Sequence, residues 1–235
     1  MQDHWNEKHI KEIPEMKIKV IITGATGMVG EGVLLESLEH PDVEKVVVIN
    51  RKPCGVIHQK LTEIIHTNFF DLNPVADQLN GLNACFFCLG VSSVNLKADM
   101  YFSLTYTLTM HVAEILAKQN PGMTFCYVSG AGTDSSEKGK LRWARVKGKT
   151  ENDLMKLSFK KAYAFRPGFM LPSKEAKNAH GYYTVFRVLY PILHGLFPGF
   201  VSTLKEVGIA MINCVTKGYG KPVLEVKDIV DLAKR

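Results

Sequence analysis

The stretch KIKVIITGATGMVGEGVLLESLEH, residues 17–40, decides the fold. Its first seven residues, KIKVIIT, form a short run that is apolar on both faces, as a strand covered by helices on both sides must be. MVGEGVLLESLEH then reads as an amphipathic helix. Between them lies Gly24-x-x-Gly27-x-x-Gly30. Gly24 permits the tight turn off the strand, Gly27 lets the backbone come close to a ligand, and Gly30 lets the helix pack against the sheet. The helix then begins with unpaired N–H groups and the positive end of its dipole, a natural seat for a pyrophosphate. A glycine-rich turn without a ligand is the plainer reading. The position of the turn between a strongly apolar strand and a helix favours the phosphate site.

Outward from this stretch, apolar runs alternate with helical patterns. Strands are expected at 45–50, 62–67, 84–90, 123–130 and 161–167, with a short one near 222–226. A long helix is expected to end near Lys118, another to run from Lys140 to about Leu157, and two more to lie in the C-terminal part. This alternation implies βαβ units and an α/β fold, a doubly wound parallel sheet of the Rossmann type. Residues 1–16 are expected to form an N-terminal arm carrying Trp5, and residues 17–235 a single domain. Its last part, 170–235, is expected to form a small cap on the substrate side.

Composition narrows the function. The charge of +6 is mild and favours anionic small molecules. No basic run interleaved with exposed aromatics marks a nucleic-acid binder. Five scattered cysteines argue against a disulfide framework and for a reducing compartment. Cys85 and Cys88 have CxxC spacing, but on a strand residues three apart face opposite ways, so the expectation is core rather than metal. The charged start, MQDHWNEKHIKEIPEM, lacks the apolar stretch of a signal peptide. YYTVFRVLYPILHGLFPGF (182–200) is broken by Arg187, Pro191, His194 and Gly195, which argues against a membrane span. A cytoplasmic protein, monomeric or homodimeric, acting on a small molecule is the expectation. His111 and His194 lie in apolar surroundings and read as packed.

After the second strand stands Asn50-Arg51-Lys52, where an NAD-preferring fold usually carries an acidic residue for the ribose 2′-hydroxyl. A basic residue there suits a 2′-phosphate, so NADP(H) is expected ahead of NAD(H), with Arg51 and Lys52 as the contacts. A solvated Arg–Lys pair is the alternative. Asp71 reads two ways: an acceptor for an adenine amino group, or part of a helix-start turn with Asn73 and Pro74. Leu89 and Gly90 end the fourth strand where a ribose would approach. Thr26, Met28 and Val29 complete the set around the glycine turn.

TGATGMVG, the basic NRK, VSGAG (128–132), WARVKGKTE (143–151) and FRPG (165–168) together resemble an atypical short-chain dehydrogenase/reductase. The likeness is to the NAD(P)H-binding branch that includes the Tat-interacting oxidoreductase-like proteins. The resemblance implies a Ser at the end of the fifth strand and a Tyr-x-x-x-Lys on the next helix. Ser129 and Lys147 match; Trp143 stands where the tyrosine should be. The family's tyrosine moves a proton to or from the substrate oxygen, whereas an indole N–H only donates a hydrogen bond. Trp143 and Lys147, four apart, still share a helix face. Arg166, Pro167 and Gly168 match the motif whose backbone lies near the nicotinamide. The resemblance implies an oxidoreductase acting on a small carbonyl or enone, Ser129 polarising its oxygen. A cofactor-binding regulator or scaffold with little turnover is the alternative, and a nucleotide-sugar epimerase-like protein the third. Tyr127 and Tyr106 are weak candidates for the missing hydroxyl. The basic face from Lys138 to Lys149 reads as solvated apart from one buried lysine, with docking to an acidic partner as the alternative.

Overall fold

The computed structural model describes residues 17–171 and 199–235. The N-terminal arm with Trp5, and most of the apolar stretch with Arg187, Pro191, His194 and Gly195, lie outside the described residues.

Seven parallel strands form the central sheet: β1 (Ile18–Thr23), β2 (Val43–Asn50), β3 (Leu61–Ile65), β4 (Ala84–Phe87), β5 (Thr124–Val128), β6 (Lys161–Arg166) and β9 (Val223–Glu225). Their order is β3-β2-β1-β4-β5-β6-β9, so the direction of winding reverses between β1 and β4. Ligands of open α/β sheets bind in the crevice at that reversal, outside the carboxyl ends of the strands. A separate parallel pair joins β7 (Phe169–Leu171) to β8 (Val201–Thr203), an addition that the sequence pattern did not announce.

Strand alternation sorts the core into two layers. Val20 and Ile22 of β1, Val46 and Val48 of β2, Phe86 of β4 and Cys126 of β5 pack on one face. Ile21, Val47, Ile49, Cys85, Phe87, Phe125 and Tyr127 pack on the other. Full burial of each large apolar side chain is worth about 1.5–3 kcal/mol. Cys85 and Cys88 fall into opposite layers, as the pleat requires. Burial raises the Cys88 thiol to about 12, far from reactive. All five cysteines are free.

The helices are α1 (Met28–Glu39), α2 (Ala98–Phe102), α3 (Leu108–Gln119), α4 (Arg142–Leu154), α5 (Leu204–Thr216) and α6 (Val226–Ala233). A π-helical turn, Ser103–Thr107, joins α2 to α3. The expected cap is corrected over its described C-terminal part. Residues 201–235 form no lid: β9 is the seventh strand of the sheet, and Val207, Ala210, Met211 and Ile229 are core. The sequence misled because a short strand followed by a short helix looks dispensable until its neighbour, β6, is known. Helix α5 presses directly on α1. A Cβ on Gly32 would sit 2.7 Å from Cβ of Leu204, and one on Gly208 would sit 2.9 Å from Cβ of Glu36. No helix among the described residues is long and apolar enough to cross a membrane.

Candidate dinucleotide site

The glycine turn lies between the end of β1 and the start of α1, at the winding reversal. Gly24 adopts φ +72° and abuts the backbone of Cys88 and Leu89; any Cβ there would lie 2.8 Å from those atoms. A Cβ on Gly30 would fall 2.1 Å from the Gly24 carbonyl oxygen, so Gly30 is fixed by packing inside the turn. Gly27 differs. It is exposed, and the nearest atom to an added Cβ is the Gly24 oxygen at 3.4 Å. The protein itself leaves that space open. Gly27 caps α1 without any side-chain hydrogen bond to the first turn. The free N–H groups of Met28 and Val29 thus meet an open approach, the arrangement a pyrophosphate needs.

Beside the turn lies a cavity of about 190 Å³, bounded by the carboxyl ends of β1, β2, β3 and β4. Gly24 and Thr26 form one wall, Asn50 and Arg51 a second, Asn68 and Phe69 a third, and Leu89 and Gly90 a fourth. Asn50 is held in place because its Nδ2 donates to Glu63 Oε1 at 2.9 Å, and the Cys54 N–H donates to the same oxygen at 2.8 Å. Burial raises the Glu63 carboxyl, but these hydrogen bonds outweigh it and leave it below its ordinary value. Arg51 is exposed at the cavity rim. Lys52 is exposed too and does not line the cavity. Open turn, uncapped helix and adjoining cavity fit a dinucleotide.

Asp71 resolves in favour of the turn. Its Oδ1 accepts the Asn73 N–H at 3.1 Å, ahead of a 3-10 helix over Asn73–Leu79, and it does not line the cavity. The residues that do line it there, Thr67, Asn68, Phe69 and Phe70, escaped the sequence reading. They were findable: β3 ends at Ile65, and the segment leaving a strand at the reversal must border the crevice.

The second group lies farther along the carboxyl edge, where β5 and β6 end. Lys147 Nζ donates to the Ser129 carbonyl oxygen. Burial draws the Lys147 ammonium down to about 8, with Glu151 pulling the other way. The Ser129 hydroxyl donates to the Phe165 carbonyl at 3.1 Å, so in this state it is bound to β6 rather than turned to a substrate. Trp143 lies over the loop that follows Ser129, with its ring 3.5 Å from the Cβ position of Gly132. The helix register thus brings Ser129, Trp143 and Lys147 to one end of the sheet.

Arg166 was expected to approach the nicotinamide through its backbone, and its side chain is engaged within the protein. Its guanidinium grips Glu151 through two bonds, 3.0 Å to Oε1 and 2.5 Å to Oε2. It also reaches Glu225 at 3.0 Å and Ser135 at 2.5 Å. The side chain ties β6 to α4 and β9. Gly168 likewise answers to packing, because a Cβ there would meet the Phe200 oxygen at 2.3 Å. The Pro167 carbonyl accepts the Ala131 N–H at 2.9 Å, binding the FRPG turn to the Ser129 loop. Neither spare tyrosine supplies a hydroxyl. Tyr127 is buried against Phe87, and burial holds its phenol well above the ordinary range. Tyr106 donates to Asp153 at 2.8 Å beneath Lys149. On the basic face Lys147 and Lys149 are both half-buried. Arg142 donates to the Leu96 carbonyl and Arg145 to the carbonyls of Gly139 and Lys140, while Lys138 and Lys140 are exposed.

Comparison with known proteins agrees with this picture. No family model matches the chain. Rat protein HTATIP2 is 27% identical over 219 residues, spanning 92% of this chain and 89% of that protein. The FMP52 protein of Saccharomyces cerevisiae is 25% identical over 230 residues, spanning 91% and 95%. Among solved structures, the ADP-L-glycero-D-manno-heptose-6-epimerase of Helicobacter pylori superposes with a TM-score of 0.63 at 16% identity, over 93% of this chain and 82% of that one. WbmH of Bordetella bronchiseptica, solved with NAD+, gives 0.60 at 18% identity, over 91% and 79%. These likenesses support the atypical short-chain dehydrogenase/reductase resemblance, and the fold is that of NAD(P)-binding oxidoreductases and epimerases. The cytoplasmic expectation is corrected: FMP52 of S. cerevisiae and of Emericella nidulans is named a mitochondrial protein. Lack of an apolar leader in the first 16 residues does not speak to that address, because mitochondrial targeting segments are amphipathic rather than apolar.

Proposed function

We propose that this chain binds NADP(H) and works as an oxidoreductase-like protein on a small carbonyl or enone, with Trp143 in place of the usual tyrosine. The observation that carries the reading is the open space at Gly27, before an uncapped helix and beside a cavity rimmed by Arg51. Met28 and Val29 offer N–H groups to the pyrophosphate across the Cβ-free Gly27, whose own N–H donates to the Gly24 carbonyl at 2.9 Å. Arg51 offers a planar, bidentate partner to a 2′-phosphate, with Lys52 adding charge nearby. Leu89 and Gly90 border the ribose, and Pro167 and Gly168 bring their backbone towards the nicotinamide end. The bound nicotinamide would supply or accept the hydride.

The chain's own groups would handle the proton. The indole of Trp143 walls the pocket and donates without exchanging a proton. Lys147 sits one helical turn away and exchanges a proton near neutral pH, the property that general acid–base catalysis requires. Ser129 positions it through its carbonyl, and its hydroxyl would turn from Phe165 to polarise an acceptor oxygen. A second reading, a cofactor-binding regulator with little turnover, draws on Trp143 itself and on the engagement of Tyr106 and Tyr127 elsewhere.

Calorimetry with NADPH and NADH tests the proposal. NADPH should bind about tenfold or more tightly, the value of one charge-assisted contact, and Arg51→Glu should remove the preference. Equal affinities would withdraw Arg51 from the site, and binding of neither would end the reading. In a Trp5→Phe variant Trp143 is the sole indole, since the chain has two. Its emission should fall when NADPH binds. Calorimetric binding with unchanged emission would remove Trp143 from the nicotinamide end.

A further inference from the structure

A second and larger cavity, about 560 Å³, opens at the amino-terminal edge of the sheet, where β5 and β6 begin and α5 ends. The dinucleotide site lies beyond the opposite, carboxyl edge. A strand of five or six residues separates the two edges by roughly 15–20 Å, so the cavity is not an extension of that site.

Four cations line it: Lys160 and Lys161 at the start of β6, Lys217 after α5, and Arg235. No aspartate or glutamate lines it. Among the described residues none of these four forms an ion pair, although elsewhere Lys19, Lys149, Lys156 and Lys221 do. Asp228, the acidic group closest to Tyr219 in the bonding pattern, already accepts from the Tyr219 hydroxyl at 2.7 Å and from Lys221 at 2.8 Å. The positive field reaches beyond the cavity. The His40 imidazole lies below its ordinary value through burial first, against an opposing Asp42, with Lys217 and Lys60 adding to the effect.

The walls are ordered around this charge. The Tyr163 hydroxyl accepts the Tyr219 N–H at 3.0 Å and donates to the Tyr219 carbonyl at 3.3 Å, fixing the Gly218–Gly220 turn from beneath. Gly218 takes φ +69°, which lets that turn fold tightly after α5. The Arg235 guanidinium stacks over the Tyr219 ring at 5.3 Å, so the ring steadies its position while its N–H groups are free to bind an anion. Like charges gathered in one concavity repel each other until an anion compensates them.

We infer that this cavity is a binding site for a compact polyanion carrying two or more phosphate groups, held by Lys160, Lys161, Lys217 and Arg235. Four cations outnumber the charge of a single phosphate, which carries about two negative charges near neutral pH. The volume falls within the range of small-molecule sites, about 300–1,000 Å³. A nucleic acid would call for an extended basic stripe. A membrane surface would call for exposed apolar side chains around the lysines. The large exposed apolar residues, such as Ile57, Val94, Leu141 and Phe200, do not line this cavity.

The test is titration calorimetry of the full chain with inorganic tripolyphosphate and with inositol trisphosphate. Saturable binding of at least one is expected, weakening as potassium chloride is added. A Lys161→Glu/Lys217→Glu double variant alters two exposed side chains, and circular dichroism can check that it folds. It should lose about tenfold or more in affinity, while Arg51→Glu, on the opposite edge, should leave binding within about twofold. Tighter binding of the inositol ligand than of tripolyphosphate supports the site and assigns an organic carrier. Three results would overturn the inference. One is no saturable binding of either probe. Another is a loss in Arg51→Glu with none in the double variant, which would put the anion on the glycine turn. The last is equal binding of citrate, which would reduce the cavity to a diffuse positive field.

Discussion

Lys147 and Ser129 are joined backwards relative to the usual picture of a serine and lysine at a catalytic centre: the ammonium donates to the serine's main-chain carbonyl, and the serine hydroxyl donates to Phe165. Eighteen residues apart in sequence, they lock helix α4 to the end of β5.

The buried ammonium makes stability depend on pH. Its folded-state value is about 8 against an ordinary 10.5, so between these values the unfolded chain holds more protons than the folded one. Stability should therefore rise with pH from about 8 to about 10.5 and level off below 8, where both states hold the proton. The shift corresponds to about 3 kcal/mol. Phenols and thiols buried in the fold titrate in the same region once the chain is unfolded, so the quantity to measure is the difference between native protein and Lys147→Met in urea unfolding. The stability of native protein relative to Lys147→Met should rise between pH 7 and pH 10. A difference independent of pH would mean that the ammonium is as well solvated folded as unfolded.

Gly27 and Gly30 should separate binding from folding. Gly27→Val places its side chain in open space and should keep the fold while abolishing NADPH binding. Gly30→Ala drives a methyl group into the Gly24 carbonyl and should lower stability by about 1–3 kcal/mol. Thermal unfolding alongside calorimetry reads both. A folded Gly27→Val protein with normal NADPH affinity would move the phosphate site elsewhere.

The Glu151–Arg166 pair should behave as a unit. The Glu151 side chain is 1% exposed and that of Arg166 is 11% exposed. Glu151→Ala leaves a buried guanidinium with Glu225 and Ser135 alone, and should lose about 3–5 kcal/mol. Adding Arg166→Met should recover part of that loss, because the stranded charge goes with it. A double-mutant cycle in denaturant measures the coupling. Strictly additive losses would mean that the two residues act independently.

The central sheet and its turn were legible in the sequence because their signals are local. Apolar runs mark β1 to β6, and three glycines at fixed spacing mark the turn where the phosphate site is proposed. That Lys147 shares an end of the sheet with Trp143 and Ser129 was legible because the two helical residues lie one turn apart. The structural role of the Arg166 side chain was not legible because it depends on Glu151 and Glu225, partners that the folded chain brings together and no local pattern reveals. Asp71 held two readings until the Asn73 N–H was seen to bond to it. The cavity wall at 67–70 depends on the register of β3. The cationic cavity at the other edge is assembled from three separate segments, each unremarkable by itself.

The contact between Gly32 and Leu204 also bears on how the chain is made. Helix α1, which follows the glycine turn, is backed by a helix that is made only after β1 to β8. Its partner strand β9 emerges later still. The nascent chain must hold the exposed flank of α1 and the open side of β6 in waiting throughout translation, and pairing over so long a loop is intrinsically slow. A ribosome that stalls before α5 and β9 are made should thus release a chain that exposes apolar surface and depends on chaperones, even though every residue of its glycine turn has already been made.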